Sequence, residues 1–251
     1  MLSAAAARYA SDGVLIAGGA RAILLQVADP AVAVGVARHS DFAHRPVERL
    51  RNTLTFAYAV VLGTADDAAR VASFVGRAHV PVDRAEDADL QLWVAATLYE
   101  TATTVHDRVF GAAPEPLADE LYAAYAALGT SLQMPASLWP PTRAAFHSYW
   151  DARIAALEVT DDARQIAHDL FAPATAPAWL RAGLPLARLL TIDLLPASIR
   201  SAYGFVWTPR DARRASRAWS LLRFVVRVTP QRVRSWPSRR YLARLRAGSS
   251  P

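Results

Sequence analysis

The sequence predicts an all-α protein, most simply one multi-helix domain. Apolar residues recur at spacings of three and four along most of the 251 residues. Prolines, glycines and capping residues divide this pattern into segments of helical length, and no alternating stretch of useful strand length occurs. Hydrophobic residues make up 53% of the chain, which suits a large interior, an apolar cavity or a surface that meets lipid.

The first half of the chain divides into five predicted helices. An Ala-rich lead at 1–11 has little to fix it. The apolar run at 14–28 contains Gly18 and Gly19, which would each destabilise a helix interior by roughly 1 kcal/mol relative to Ala. These glycines either permit close approach of another helix or a flat ligand, or break the run into two short helices. Predicted helices lie at 14–28, 31–39, 46–62, 65–79 and 90–110.

Prolines and threonines bound the helices of the second half. Two prolines and a threonine start the helix at 140–157, and a threonine with two aspartates caps the helix at 160–171. A Pro/Ala linker follows at 172–178, and the segment 229–251, rich in Arg, Pro and Ser, is predicted to be poorly ordered. The remaining predicted helices lie at 117–128, 180–195 and 209–228.

The charge of the chain is unevenly placed. All 28 basic residues are Arg, and the segment 200–251 holds thirteen of them with one acid, Asp211. That segment has a net charge of 13 − 1 = +12, so residues 1–199 must contribute −6 to the total of +6. We therefore expect a helical core at 1–199 and a basic C-terminal extension at 200–251, packed on or trailing from the same domain.

The basic segment also contains apolar and aromatic side chains. In the helix at 209–228 the apolar side is predicted to hold four residues, with five arginines mostly on the other side. Trp219, Phe224 and Trp236 alternate with arginines, which favours an anionic membrane surface as partner and makes nucleic acid the weaker candidate. A plain solvated helix with a floppy tail explains the pattern equally well. The four apolar residues are Leu221, Leu222, Phe224 and Val225; the arginines are Arg213, Arg214, Arg217, Arg223 and Arg227.

Several classes of function have no motif here. The chain has no Cys, so it has no disulfide, thiolate ligand or cysteine nucleophile. It also has no Gly-rich phosphate loop, Gly-x-Ser-x-Gly elbow or two-histidine zinc spacing, which disfavours ordinary metal sites and hydrolases. Neither a leader with a basic and then an apolar region nor a long uncharged apolar stretch is present. We expect a cytoplasmic protein, either free or peripheral to the membrane.

Three polar residues in the helices at 46–62 and 65–79 form the candidate site. Arg49 and Thr53 are four residues apart and share a helix face. A very short turn joins the two helices, so they should pack antiparallel and bring the start of the first near His79 at the end of the second. His79 is either a histidine favoured by the helix dipole or a single axial ligand of haem iron, with arginines near the haem carboxylates. Arg49 and Thr53 alternatively form a solvated or salt-bridged face.

Nine short stretches, in their order and spacing, resemble the oxygenase MpaB family, which includes the rubber oxygenase (latex clearing protein). The similarity covers about residues 9–210. The first of these stretches is Gly-Gly-Ala-Arg-Ala-Ile-Leu-Leu-Gln, and the fourth is Arg-Leu-Arg-Asn-Thr, which contains Arg49 and Thr53. The stretches lie at 18–26, 30–36, 39–42, 49–53, 60–63, 90–98, 149–150, 194–196 and 202–207.

The resemblance implies an all-helical haem b protein with a globin-like core around an apolar pocket, held by residues 1–199. It implies a haem-dependent oxygenase that uses O2 on an apolar, isoprenoid substrate and cleaves its carbon–carbon double bonds. The family's iron-ligating histidine matches His79. Its Arg-x-x-x-Thr pair matches Arg49 and Thr53, which are implied as catalytic and haem-contact residues.

The chain departs from the family pattern at three positions. Asn52 stands where a basic residue often precedes the threonine, and Asp29 and Ala95 stand where the family commonly has histidines. These departures keep a second hypothesis open, which is a non-catalytic haem- or lipid-binding helical protein at a membrane surface.

Overall fold

The predicted all-α class is confirmed. The computed structural model describes residues 2–39, 46–79, 84–173 and 178–248, with the backbone alone at 39, 46–49, 79 and 179–180. These ranges form α-helices and two short 3₁₀ helices and contain no strand. The globin-like arrangement of the core stays a prediction.

Fourteen α-helices make up the described chain. Helices α1 to α7 are Ala4–Ala10, Gly19–Val27, Pro30–His39, Pro46–Leu62, Ala65–His79, Ala88–Phe110 and Glu115–Thr130. Helices α8 to α14 are Arg143–Ala156, Asp161–Phe171, Ala178–Leu194, Ala197–Ala202, Pro209–Val228, Gln231–Arg234 and Trp236–Arg246. The 3₁₀ helices are Gly13–Gly18 and Ala136–Leu138.

The N-terminal lead is a fixed helix, which the sequence did not predict. Ser3 caps α1 by accepting a hydrogen bond from the Ala6 amide at 3.2 Å, and Tyr9 is buried in the core. No single described helix is long and apolar enough to span a membrane. The bent pair Ala4–Ala10 and Gly13–Val27, which meet at 42°, passes that test of length and composition together.

At the glycine pair the apolar run is broken into two helices, and another helix approaches closely at Gly18. The 3₁₀ helix ends at Gly18 and α2 begins at Gly19, so the apolar run is broken into two. A Cβ atom on Gly18 would lie 2.4 Å from Thr101 Cγ2 and 2.9 Å from Val105 Cγ2. Gly18 therefore also allows α6 to pack directly against the backbone of the 3₁₀ helix.

Helix α6 is the centre of the main core, with α2, α7 and the first 3₁₀ helix packed on it. Trp93 is fully buried, donates from Nε1 to the Leu25 carbonyl at 3.2 Å, and stacks on Trp150 with ring centroids 5.3 Å apart. The aromatic set predicted as core packs there as expected, with Tyr149 half-buried. Its other buried members are Tyr99, Trp139 and Phe146.

A buried arginine joins three helices of this core. Arg21 is 2% exposed and donates from Nε to the Leu194 carbonyl and from Nη1 to Thr101 Oγ1, each at 2.7 Å. It also forms an ion pair with Glu100 at 2.5 Å. Because its charge and donors are matched in place, Arg21 stabilises the junction of α2, α6 and α10 instead of binding a ligand.

The basic helix α12 packs on α6 and α10, but its buried side differs from the predicted one. Trp219 is 1% exposed and donates from Nε1 to Asp193 Oδ2 at 2.9 Å; Ala215 and Val226 are buried beside it. Of the four residues predicted as the apolar side, three are exposed and Leu222 alone is half-buried. The helix has two apolar stripes, and the one that contains Trp219 packs inward.

Candidate functional site

The candidate residues belong to the antiparallel hairpin formed by α4 and α5. Arg49 lies 13 residues before the end of α4, and His79 lies 14 residues after the start of α5. At about 1.5 Å per residue, both backbone positions lie roughly 20 Å from the turn, hence at one level along the hairpin. Thr53, whose side chain is half-buried, lies one helical turn after Arg49 and is therefore nearer to the loop that joins α4 and α5. The side chains of Arg49 and His79 lie outside the described residues.

The turn between the two helices is fixed by local contacts. A Cβ atom on Gly63 would lie 2.3 Å from the Ala59 carbonyl oxygen, so the turn requires glycine. The Thr64 amide donates to Asp67 Oδ2 at 2.9 Å, and the Asp67 amide donates to Thr64 Oγ1 at 3.2 Å. This reciprocal capping box starts α5 immediately after the turn, and thereby sets the antiparallel geometry of the hairpin.

Helix α14 fastens the hairpin from outside, and it lies in the segment predicted to be poorly ordered. Arg246 donates from Nη2 to Asp67 Oδ2 at 2.7 Å, and this hydrogen bond lowers the pKa of the Asp67 carboxyl to about 2. The Tyr241 ring lies 6.0 Å from that of Tyr58 on α4, and Leu245 is buried. The spacing of Tyr241 and Leu245 was the available helical signal.

Buried polar atoms on α4 have no partner within the described part of the chain. These are Arg51 Nε, Asn52 Oδ1 and the Tyr58 hydroxyl. Such an atom costs roughly 1–3 kcal/mol when it is left unpaired. Positions 49, 52, 53 and 56 follow the i, i+3, i+4, i+7 spacing of one helix face, so Asn52 shares a face with Thr53. This part of α4 therefore has hydrogen-bonding capacity that the described protein atoms do not use.

Asp29 stands at one of the two positions where the family resemblance would place a histidine. In this chain it is a structural residue. Asp29 is 7% exposed and accepts from the Ala31 amide at 2.9 Å, which caps α3. Its other oxygen forms an ion pair with Arg153 at 2.5 Å. The carboxylate is thus fully engaged in holding α3 against α8.

Ala95 stands at the other position where the family resemblance would place a histidine, and it is buried in the core. It is 2% exposed on α6, and its Cβ would lie 3.6 Å from a Cβ placed on Gly129 of α7. Neither Asp29 nor Ala95 is a ligand group in this chain.

A groove with a volume of about 680 Å³ lies between α10 and α12, away from the hairpin. It combines apolar walls with arginines, and the Arg188 guanidinium lies 5.5 Å over the Phe205 ring. No group of three His, Asp or Glu side chains in the described ranges is arranged to hold a metal ion; a haem iron with one protein ligand needs none. Residues that line the groove include Arg181, Leu184, Arg188, Ile192, Trp207 and Arg214.

Comparison with known proteins identifies relatives along most of the chain. Residues 7–228 match the model of a family described as the catalytic domain of ER-bound oxygenase MpaB/B′ and rubber oxygenase. The uncharacterised proteins Rv2237 of Mycobacterium tuberculosis and Mb2261 of Mycobacterium bovis are each 31% identical over 225 residues. Each alignment covers 84% of this chain and 88% of the relative. No solved structure matches the chain at a significant level.

Proposed function

We propose that this chain, which belongs to the family of MpaB/B′ and rubber oxygenase catalytic domains, is a haem b-dependent oxygenase that acts with O2 on an apolar, isoprenoid substrate. The observation that carries the proposal is the family match, which spans 7–228 and so includes the whole hairpin. Haem dependence and substrate class are the proposed parts; membership of an oxygenase family is established by the match.

The unpaired atoms of α4 fit a haem group. Arg51 Nε is a buried donor, which suits the carboxylate of a haem side chain. The Asn52 amide can present either its oxygen or, after rotation, its nitrogen. A polar-edged, largely apolar cofactor would therefore satisfy atoms that are otherwise costly to bury. The buried Phe56 shares a helix face with Asn52 and supplies apolar surface beside it.

In this proposal each residue has a limited role. His79 would hold the iron through one neutral imidazole nitrogen, while Arg49 and Thr53 would contact the haem carboxylates or line the pocket that orients the substrate. Bound haem would supply an iron centre at which O2 is activated for oxidative cleavage of a carbon–carbon double bond. Apolar side chains around the hairpin would exclude water from that centre.

A non-catalytic haem- or lipid-binding protein is the second candidate function. It is favoured by Asp29 and Ala95, since these residues serve capping and packing where the family commonly has histidines. A haem-binding protein would share the haem with the oxygenase and differ in turnover, whereas a lipid-binding protein would bind no haem, so experiments can separate them.

The haem hypothesis is tested by absorption spectroscopy on purified protein titrated with haem under reducing conditions. We expect a Soret band with one-to-one stoichiometry that is lost or strongly shifted in His79→Ala. His168→Ala is the matched control, because that imidazole is 70% exposed on α9. A wild-type protein that stays colourless would overturn the haem hypothesis, and equal spectra for both variants would exclude His79 as the ligand. Oxygen uptake with a polyprenyl substrate then separates oxygenase from carrier.

A further inference from the structure

The exposed apolar side chains of the described chain are concentrated in one C-terminal segment. Nine large hydrophobic side chains are exposed, and six of them lie between positions 221 and 236. Four are on α12 and the other two on α13 and α14. Scattered exposed hydrophobics are ordinary, but such a concentration indicates an interaction surface. The six are Leu221, Phe224, Val225, Val228, Val233 and Trp236.

The four exposed hydrophobic side chains of α12 lie on its outward face, opposite its packed face. Trp219, which is 1% exposed, faces the core, whereas Leu221, Phe224 and Val228 are 64%, 63% and 63% exposed. Their spacing of three, four and seven residues is that of one helical stripe. Within the described ranges, an apolar stripe of α12 is therefore left uncovered.

The same face bears unneutralised positive charge. Arg213, Arg217, Leu221 and Val225 follow one another at four-residue intervals, so cations continue the apolar stripe toward the helix N-terminus. Helices α12, α13 and α14 together contain a single acid, Asp211, which is part of the capping box of α12. Within the described chain no ion pair engages Arg213 or Arg217, and both are exposed.

We propose that the outward face of α12, together with Val233 and Trp236, is a docking surface for an anionic phospholipid bilayer. The apolar stripe would enter the interface between headgroups and acyl chains while the arginines reach the lipid phosphates. Trp236, 56% exposed with the Arg240 guanidinium 5.3 Å over its ring, is the residue type that favours this interfacial level.

The charges discriminate against other partners. A second copy of the chain would bring together two faces that both lack acids, so self-association is electrostatically disfavoured. A nucleic acid would use the arginines but would leave the apolar stripe in water. An anionic bilayer satisfies both components of the surface. The inference needs no haem and goes beyond the proposed function.

The test is sedimentation of the full chain with vesicles of phosphatidylcholine alone or mixed with phosphatidylglycerol. We expect binding to the anionic vesicles that weakens as salt is added. Leu221→Ser with Phe224→Ser should reduce partitioning by about tenfold or more, because both side chains lose apolar contact. Arg213→Gln with Arg217→Gln should reduce it by roughly fivefold per arginine and lower the salt dependence.

Two controls match these variants. Val206→Ser removes an apolar side chain that is 81% exposed outside the face, and Arg181→Gln removes an exposed arginine on α10; both should bind as the wild type does. Circular dichroism checks that every variant is folded. The proposal is overturned if the wild-type protein does not bind anionic vesicles. It is also overturned if the variant with Leu221→Ser and Phe224→Ser binds them as well as the wild type does. A dimer abolished by the apolar variant without vesicle binding would assign the face to self-association, and duplex DNA binding alone would assign it to nucleic acid.

Discussion

Two regions of the molecule handle buried polar groups in opposite ways. At the junction of α2, α6 and α10, Arg21 has a carbonyl, a hydroxyl and a carboxylate as partners. On α4 of the hairpin, Arg51 Nε and Asn52 Oδ1 are buried without a hydrogen-bond partner in the described ranges. In the first region the buried guanidinium is paired within the protein. The second contains buried hydrogen-bonding atoms that the described protein does not pair.

The largest expected effect is at the first region. Arg21→Met should lower the free energy of unfolding by about 3–5 kcal/mol, because it leaves the Glu100 charge and the Leu194 carbonyl without their partner. Chemical denaturation followed by circular dichroism measures the loss. Arg181→Met, at an exposed position, should stay within about 0.5 kcal/mol of the wild type. A loss below about 1 kcal/mol for Arg21→Met would show that this junction is not rigidly paired.

A pH dependence of stability tests an unpaired buried nitrogen outside the hairpin. His106 stacks on Tyr9 with ring centroids 3.7 Å apart, and burial lowers its pKa to about 4. Between the unfolded pKa of about 6.5 and this value, the unfolded chain binds more protons than the folded one. Stability should therefore fall as the pH drops through that window, by roughly 2 kcal/mol.

His106→Phe isolates that contribution. This variant should flatten the pH profile of the denaturation midpoint between pH 6.5 and pH 4, whereas His168→Gln, at a 70% exposed site, should leave it unchanged. Equal slopes in the wild type and His106→Phe would show that another group titrates there.

The ion pair that fastens the hairpin should contribute less. Asp67→Asn is expected to lower stability by about 1–2 kcal/mol near neutral pH, since the pKa of this carboxyl is lowered by Arg246. The contribution is present above the unfolded pKa of about 4 and is lost as the pH falls toward 2. Arg246→Gln should cost a similar amount, and the double variant should cost little more. Additive losses would mean that the two residues act separately.

The smallest stability effect is expected for Asn52→Ala. This variant tests directly the difference between the unpaired atoms of α4 and the paired Arg21. Asn52→Ala should not lower the haem-free stability and should raise it by up to about 1 kcal/mol, because it removes a buried polar atom that has no partner. If haem binds there, its affinity should fall by about tenfold. Denaturation with and without haem measures both. A haem-free loss above about 2 kcal/mol would reveal a protein partner for this amide.

The hairpin helices could be predicted to the residue from local signals. Predicted helices at 46–62 and 65–79 coincide with α4 and α5, because proline, glycine and a capping box act on their immediate neighbours. The positions of Arg49 and His79 at one level follow from those bounds. Their side-chain roles, the haem and the substrate stay predictions.

Long-range contacts were beyond such signals. Asp67 and Arg246 are 179 residues apart, and the Arg-, Pro- and Ser-rich composition of the C-terminal segment is typical of disorder. The buried Leu245 shows that one well-packed face is enough to fix α14 despite that composition. On α12, hydrophobicity alone could not tell which of two apolar stripes packs inward, since Trp219 and Phe224 differ in their neighbours and not in their polarity.

The attachment of α14 also holds the hairpin close to its turn and leaves the opposite end without these contacts. The Arg246–Asp67 ion pair and the Tyr58–Tyr241 ring contact both lie in the half of the hairpin that is nearest the turn. Positions 49 and 79 lie at the opposite end of the hairpin, roughly 20 Å from the turn. A tilt of about 10° near the turn would displace them by about 3–4 Å, which is more than the metal–ligand bond proposed for His79 would tolerate. The contacts of α14 near the turn therefore limit the tilt of a hairpin whose other end is remote from them.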